Sequence, residues 1–157
     1  MRLCLVQHGE AKPKEEDPER PLTARGEEDV RRVAEFAKRA GLAPDQIRHS
    51  GKLRAEQTAD VLAHALRPKH GVVSLSGLNP NDDVEPVARA LEAESEPVML
   101  VGHLPHLARL AARLVAGHPD RDAVLFQMGG LVCLEKVADG RWAVAWSVTP
   151  DLLRPSG

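Results

Sequence analysis

The sequence predicts an α/β fold, a three-layer sandwich whose mostly parallel central sheet carries helices on both faces and a hairpin at its C-terminal edge. Three observations predict it. Short apolar runs of strand length alternate along the chain with longer segments whose apolar residues recur every three or four positions. The runs at Leu3 to Gln7 and Val98 to Val101 are apolar almost throughout, as strands buried on both faces must be. Late in the chain, two strand-like segments flank an Asp139-Gly140 turn, the pattern of an antiparallel hairpin.

Taken in order, Leu3 to Gln7 forms the first strand, closed by His8-Gly9. A polar loop follows, acidic and proline-punctuated from Glu15 to Pro21. Thr23 is then placed to cap a helix whose Val30, Val33, Ala34 and Ala37 share one face, and Ala40-Gly41 ends it. Ile47 to His49 is the second strand. Ala55, Ala59, Leu62, Ala63 and Leu66 mark one face of a second helix, which must stop before Pro68. Val72 to Leu75 gives a third strand, and the turn-rich stretch Gly77 to Asp83 leads into a third helix with Asp83 as its cap. Pro97 separates that helix from the strand Val98–Val101, which Gly102-His103 closes much as His8-Gly9 closes the first. Leu107, Leu110, Ala111 and Leu114 define a fourth helix, and Leu131–Lys136 with Trp142–Val148 form the hairpin.

A chain of 157 residues fits one domain, residues 1–157, and at that length folding hides roughly 68–70% of the unfolded surface. Aromatic residues make up 3% with no tyrosine, so the core must be built from Leu, Val and Ala. The net charge is −2 with basic residues scattered among acidic ones, which argues against nucleic acid or a membrane surface as partner. No stretch reads as a signal or a membrane span, so a cytoplasmic protein is expected. Cys4 and Cys133 lie in strand-like runs without metal-binding spacing and read as small core residues.

In such sheets ligands bind outside the carboxyl ends of the strands. That rule brings His8, Ser50 to Arg54 and His103 to one crevice. Two histidines and an arginine in a chain without other excess positive charge make a compact anion pocket, suited to the spread charge of a phosphoryl group. Phosphoryl transfer needs an in-line nucleophile and donors aimed at the equatorial oxygens. Only a neutral imidazole can attack phosphorus, whereas a second imidazole helps most as imidazolium. His8 is the candidate nucleophile and His103 its charged partner.

The segments Gln7-His8-Gly9-Glu10, Arg20-Pro21-Leu22-Thr23 with Gly26, Ser50 with Arg54-Ala55-Glu56-Gln57-Thr58, Val101-Gly102-His103-Leu104-Pro105, and Trp146 with Thr149-Pro150 resemble, in order and spacing, the histidine phosphatase (phosphoglycerate mutase-like) superfamily. The resemblance is to its short phosphohistidine phosphatase (SixA) branch and runs end to end. It implies that His8 accepts the phosphoryl group and that water then hydrolyses the phosphohistidine, with Arg54 and His103 binding the phosphate oxygens. It also implies a phosphatase without metal or other cofactor. One departure stands out: the family's Arg-His-Gly motif reads Gln7-His8-Gly9 here. A neutral amide keeps a donor and loses a charge, which lowers the expected rate by about a factor of ten or more. Arg20, in the loop before Thr23, is the candidate to compensate as a phosphate ligand.

Ester-cleaving members resemble one another in an acid after the third strand, and this chain has Gly77 there. Asp83 reads as a helix cap and Asp82 as turn chemistry. Without an acid, a leaving imidazole is favoured over an alkoxide, because imidazole with a reference pKa of about 6.5 can depart protonated. The expected partner is therefore a phosphohistidine-bearing protein, such as a histidine phosphotransfer domain, or else a small phosphorylated compound. Three other readings compete. These are a small-molecule phosphomonoesterase of the same superfamily, a phospho-binding protein that lost turnover with Gln7, and a metal hydrolase using His8, His103 and His106. The last lacks the aspartate or cysteine of usual ligand sets. His106 reads as an exposed first-turn residue, and His49, His64, His70 and His118 as surface or helix-face residues.

Overall fold

The computed structural model describes residues 2–156. Its elements follow in the order β1 (Arg2–Gln7), α1 (Ala24–Arg39), β2 (Gln46–His49), α2 (Leu53–Leu66), β3 (Val72–Ser74), α3 (Glu85–Ala93), β4 (Val98–Gly102), α4 (His106–Ala116), β5 (Leu131–Lys136), β6 (Trp142–Val148) and α5 (Pro150–Leu153). The strands form one six-stranded sheet in the order β3-β2-β4-β1-β5-β6. The first four strands by sequence run parallel, and β5 and β6 pair antiparallel at the edge.

The apolar character of β1 follows from its place. It lies between β4 and β5, with Leu3 opposite Val98 on one side and Cys4 opposite Cys133 on the other. Leu3 and Leu5 face the core made with Val87 and Leu91 of α3 and Leu107 and Leu110 of α4. Cys4 and Val6 face the core made with Val30, Val33, Ala59 and Leu62 of α1 and α2. Each fully buried aliphatic side chain contributes roughly 1.5–3 kcal/mol, so a polar residue at either face would be costly. The two thiols touch at 3.0 Å in the second core, and the contact with Cys133, with burial behind it, pushes the Cys4 thiol pKa up.

Thr23 caps α1, its Oγ1 accepting from the Gly26 amide at 2.9 Å. This end of α1 lies against the His8 loop. A Cβ on Gly26 would collide with the Glu10 carbonyl, and one on Gly9 would come within 2.8 Å of Val30, so both positions need glycine. The N-cap of α3 is Val84 rather than Asp83. Asp83 still serves that helix, accepting from the Glu85 amide at 3.0 Å.

The four-residue α5 has no counterpart in the sequence pattern, being too short to show a period. It is held by Arg154, whose guanidinium makes two hydrogen bonds of 2.8 and 3.1 Å to the buried carboxylate of Asp29. Trp146 of β6 packs edge-on to Phe36 of α1, ring centroids 5.8 Å apart. Among the described residues no helix is long and apolar enough to cross a membrane.

Candidate active site

Because β1, β4 and β2 are parallel neighbours, the residues that follow them meet at one edge of the sheet. The His8 amide donates to the Gly102 carbonyl at 3.0 Å, which ties the two histidine-bearing turns together. The His8 and His103 rings stand 5.0 Å apart at 51°. Thr58 joins α2 to this pair: its hydroxyl accepts from the Gly9 amide at 3.0 Å and donates back to the Arg54 carbonyl at 2.7 Å. Gln57 holds the next loop, its Oε1 accepting from the Leu22 amide at 2.8 Å. Four segments far apart in the chain are thus fixed around one point.

His8 is 8% exposed, and its Nδ1 lies 2.7 Å from its neighbour's carbonyl, Gly9. A carbonyl only accepts, so Nδ1 carries the proton and Nε2 carries the lone pair. Burial lowers the His8 pKa to about 4 against the pull of that hydrogen bond, helped by the charges of Arg54 and Arg20. The ring is neutral near pH 7, in the tautomer a nucleophile needs.

His103 is 2% exposed, and its Nε2 sits 2.6 Å from the Ser50 hydroxyl. Its pKa is lowered to about 3, first by burial and then by His8, Arg54 and Lys52. The structure therefore corrects the expectation of a charged His103: the ring is neutral in this fold, because it is desolvated and faces the cations Arg54 and Lys52. Only a bound dianion could reverse that balance.

Both neutral rings have a consequence for stability. In the unfolded chain they protonate near pH 6.5, whereas the folded values are about 4 and about 3. Between those limits the unfolded state binds more protons, so stability is full above about pH 6.5 and falls as pH drops through the window. The Tm is expected to decline from pH 7 to pH 4.5, with a shallower slope in a His8→Asn/His103→Asn variant. An unchanged slope would assign the acid sensitivity to other groups.

Arg54, on the first turn of α2, has its Nε buried without a partner. Burial lowers its pKa, with Arg20 adding to the effect. Among the described residues no carboxylate pairs with Arg54, Arg20 or Lys52, although other arginines are paired with acids. Arg20 has a left-handed backbone at φ 51, a conformation that costs roughly 1–2 kcal/mol outside glycine. Its Nε donates to the Lys12 carbonyl at 3.1 Å, and its charge is felt at both His8 and Arg54. Gln7 is 8% exposed, with Oε1 buried and unpartnered. It borders a hollow of about 460 Å³ that also touches Glu10, Leu104, Phe126 and Met128. A second hollow, of about 420 Å³ and lined by Arg31, Asp60 and His64, lies between α1 and α2 and touches neither His8 nor His103.

All five candidate residues, Gln7, His8, Arg20, Arg54 and His103, therefore belong to one neighbourhood. Other expectations do not hold. His106 is fully buried rather than exposed, with the Gly77 carbonyl near its ring but outside hydrogen-bond geometry. His49 is also buried, its Nδ1 accepting from the Gly51 amide at 3.0 Å to brace the turn after β2. Asp82 is tied to the Asn79 amide at 3.0 Å, as turn chemistry predicts. Among the described residues no group of three His, Cys, Asp or Glu side chains is disposed to hold a metal ion. Two contributors stand in the quoted sequence segments without a role of their own. Thr58 could have been found as the residue one helical turn after Arg54. Glu10 accepts at Oε1 from the Thr23 hydroxyl at 2.8 Å, a bond that nothing signals before the loops are assembled.

Residues 3–79 match the histidine phosphatase superfamily (branch 1). The chain is 36% identical over 124 residues to an uncharacterised protein of Picosynechococcus sp., covering 74% of each. It is 26% identical over 159 residues to the phosphohistidine phosphatase SixA of Escherichia coli (strain K12), covering 98% of this chain and 97% of that one. A solved structure of the protein histidine phosphatase SixA complexed with tungstate superimposes with a TM-score of 0.87 at 26% identity, over 98% of this chain and all of that one (100%).

Proposed function

The chain belongs to the histidine phosphatase superfamily, in its SixA branch, and is a phosphatase; from that premise we propose that it removes the phosphoryl group from a phosphohistidine displayed on another protein, by way of a covalent phosphohistidine on its own His8. The observation that carries this reading is the bare Nε2 of a neutral His8 set beside Arg54 and Arg20, which pair with no carboxylate among the described residues. A lone pair and a pocket short of negative charge are what in-line phosphoryl transfer requires.

In the first step the Nε2 lone pair of His8 forms a bond to phosphorus while the bond from phosphorus to the substrate's ring nitrogen breaks. The departing nitrogen keeps that electron pair. In the second step a water oxygen bonds to phosphorus, the bond to Nε2 breaks and its electron pair returns to His8. Inorganic phosphate leaves as dihydrogen phosphate, carrying the water's oxygen and its two protons, one of which passes to solvent. Arg54, His103 and Gln7 hold the equatorial oxygens through both steps. Arg20 supplies part of the charge that Gln7 lacks, because its Nε is already pinned to the Lys12 carbonyl and its terminal nitrogens remain for a ligand. No metal enters this scheme.

The leaving group is argued from the acids. Asp82 and Asp83 each accept at one oxygen from an amide of their own turn, and Glu10 accepts at one oxygen from Thr23, which favours structural roles for all three over that of acid to a departing alkoxide. An imidazole already protonated on its far ring nitrogen needs no such acid. SixA of Escherichia coli carries the name phosphohistidine phosphatase, which supports the same class. Leu104 and Met128, 40% and 45% exposed, edge the hollow beside Gln7 and give a protein partner apolar surface to cover. Rates measured in parallel on a phosphohistidyl protein and on small phosphomonoesters, with and without chelator, test the proposal. Faster turnover of the phosphohistidyl protein, insensitive to chelator, is expected. Equal or faster turnover of a phosphomonoester would move the assignment to a small-molecule phosphatase.

A further inference from the structure

β2 and β4 pair in parallel with His49 opposite Val101, so Ser50 and His103, the residues just beyond, come side by side. Ser50 Oγ lies 2.6 Å from His103 Nε2, a short contact for such a pair. The Lys52 amide donates to the same oxygen at 3.3 Å. The other ring nitrogen, Nδ1, is buried with no partner. Ser50 is therefore the side chain whose hydrogen bond can select between the two tautomers of His103.

A serine hydroxyl has two lone pairs and one proton. With one lone pair taken by the Lys52 amide, either the second lone pair or the proton serves Nε2. If the hydroxyl donates, the Nε2 lone pair is spent on Ser50 and His103 keeps its proton on Nδ1, a buried donor without acceptor. If the hydroxyl accepts, Nε2 carries the proton, and the serine's own proton is left for the half-exposed side, where water or a phosphoryl oxygen can take it. Only the second arrangement lets a neutral His103 donate to an anion.

We propose that Ser50 is a positioning residue that holds His103 as its Nε2–H tautomer, so that a neutral ring is already a donor when a phosphoryl group arrives. Its kinetic consequence rests on the phosphatase reading above; the tautomer itself does not. The hydroxyl also acts as a stand-in for the phosphoryl oxygen, keeping Nε2–H aimed at the site between turnovers.

Long-range proton–nitrogen spectra of the histidine rings near pH 7, assigned by loss of the signal in His103→Asn, test this in the wild type, Ser50→Ala and Ser50→Thr. The wild type is expected to show one His103 tautomer with the proton on Nε2. Ser50→Ala should show a mixture of tautomers and lose about tenfold in kcat/KM, and Ser50→Thr, which keeps the hydroxyl, should restore both. A wild-type proton on Nδ1, or an unaltered tautomer in Ser50→Ala, overturns the proposal. The wild-type spectrum alone decides should Ser50→Ala fail to fold. Since the spectra need no substrate, the expected tautomers without turnover of any phosphoryl compound would sink the functional reading and leave Ser50 standing. Turnover with unaltered spectra would do the reverse.

Discussion

His8→Ala is expected to abolish phosphate release, with kcat falling by about three orders of magnitude or more, as removal of a covalent nucleophile does. The reason lies in bonds that no other residue reproduces. His8 has its Nδ1 committed to the Gly9 carbonyl and its Nε2 bare. His103 has its Nε2 engaged by Ser50 and its Nδ1 buried. The second ring therefore cannot replace the first. The fold should survive, because the backbone bonds from His8 to Gly102 and from Gly129 to His8 do not involve the ring. A circular dichroism melt close to wild type, alongside lost turnover, is the expected pair. Brief reaction with a phosphoryl donor should leave an acid-labile, alkali-stable label on the wild type and none on His8→Ala. Stoichiometric phosphate binding without label in the wild type would instead make the protein a phospho-sensor.

Arg54→Ala is expected to lower kcat by about 10²–10³, the usual cost of removing one preorganised donor from the developing charge. Arg54→Lys should recover only part of this, since an ammonium lacks the planar fork. Stability should move the other way. Arg54 is a half-buried cation with an unpartnered Nε and a lowered pKa, so its removal relieves repulsion from Arg20, and the Tm should stay level or rise. The converse applies at Gln7. Gln7→Arg should raise turnover about tenfold, the difference between a neutral and a charge-assisted hydrogen bond, and should lower the Tm by adding a further cation to Arg54, Arg20 and Lys52. A stable Arg54→Ala with full activity, or an inactive Gln7→Arg, would mean that pocket charge does not limit the rate.

The parallel sheet and its edge hairpin were legible in the sequence for a local reason. A strand buried on both faces must be apolar at every position, and Leu3 to Val6 and Val98 to Val101 are. A helix on one face must repeat its apolar residues, and Val30, Val33, Ala34 and Ala37 do. Once strands and helices alternate, the strand ends must gather His8, Arg54 and His103 at one edge, so residue types and spacing alone nominate the site. Glycine at 9 and 26 was readable only as part of a resemblance; the close approach of α1 to the His8 loop supplies the steric reason.

Protonation and exposure were not legible. His103 looked like the charged partner because a phosphate pocket favours imidazolium, yet in the fold it is neutral. Its charge depends on how far it is removed from water and on which cations face it, and Arg54 and Lys52 reach it only through tertiary packing. His106 looked exposed because a first-turn position says nothing about what packs on it, and the loop at Gly77 covers it. Sequence determined which residues stand at the sheet edge, since periodicity and strand polarity are local properties. Tertiary structure decided which ring holds a lone pair and which a hydrogen-bonded partner, since desolvation and contacts such as Ser50 with His103 join segments the chain keeps far apart.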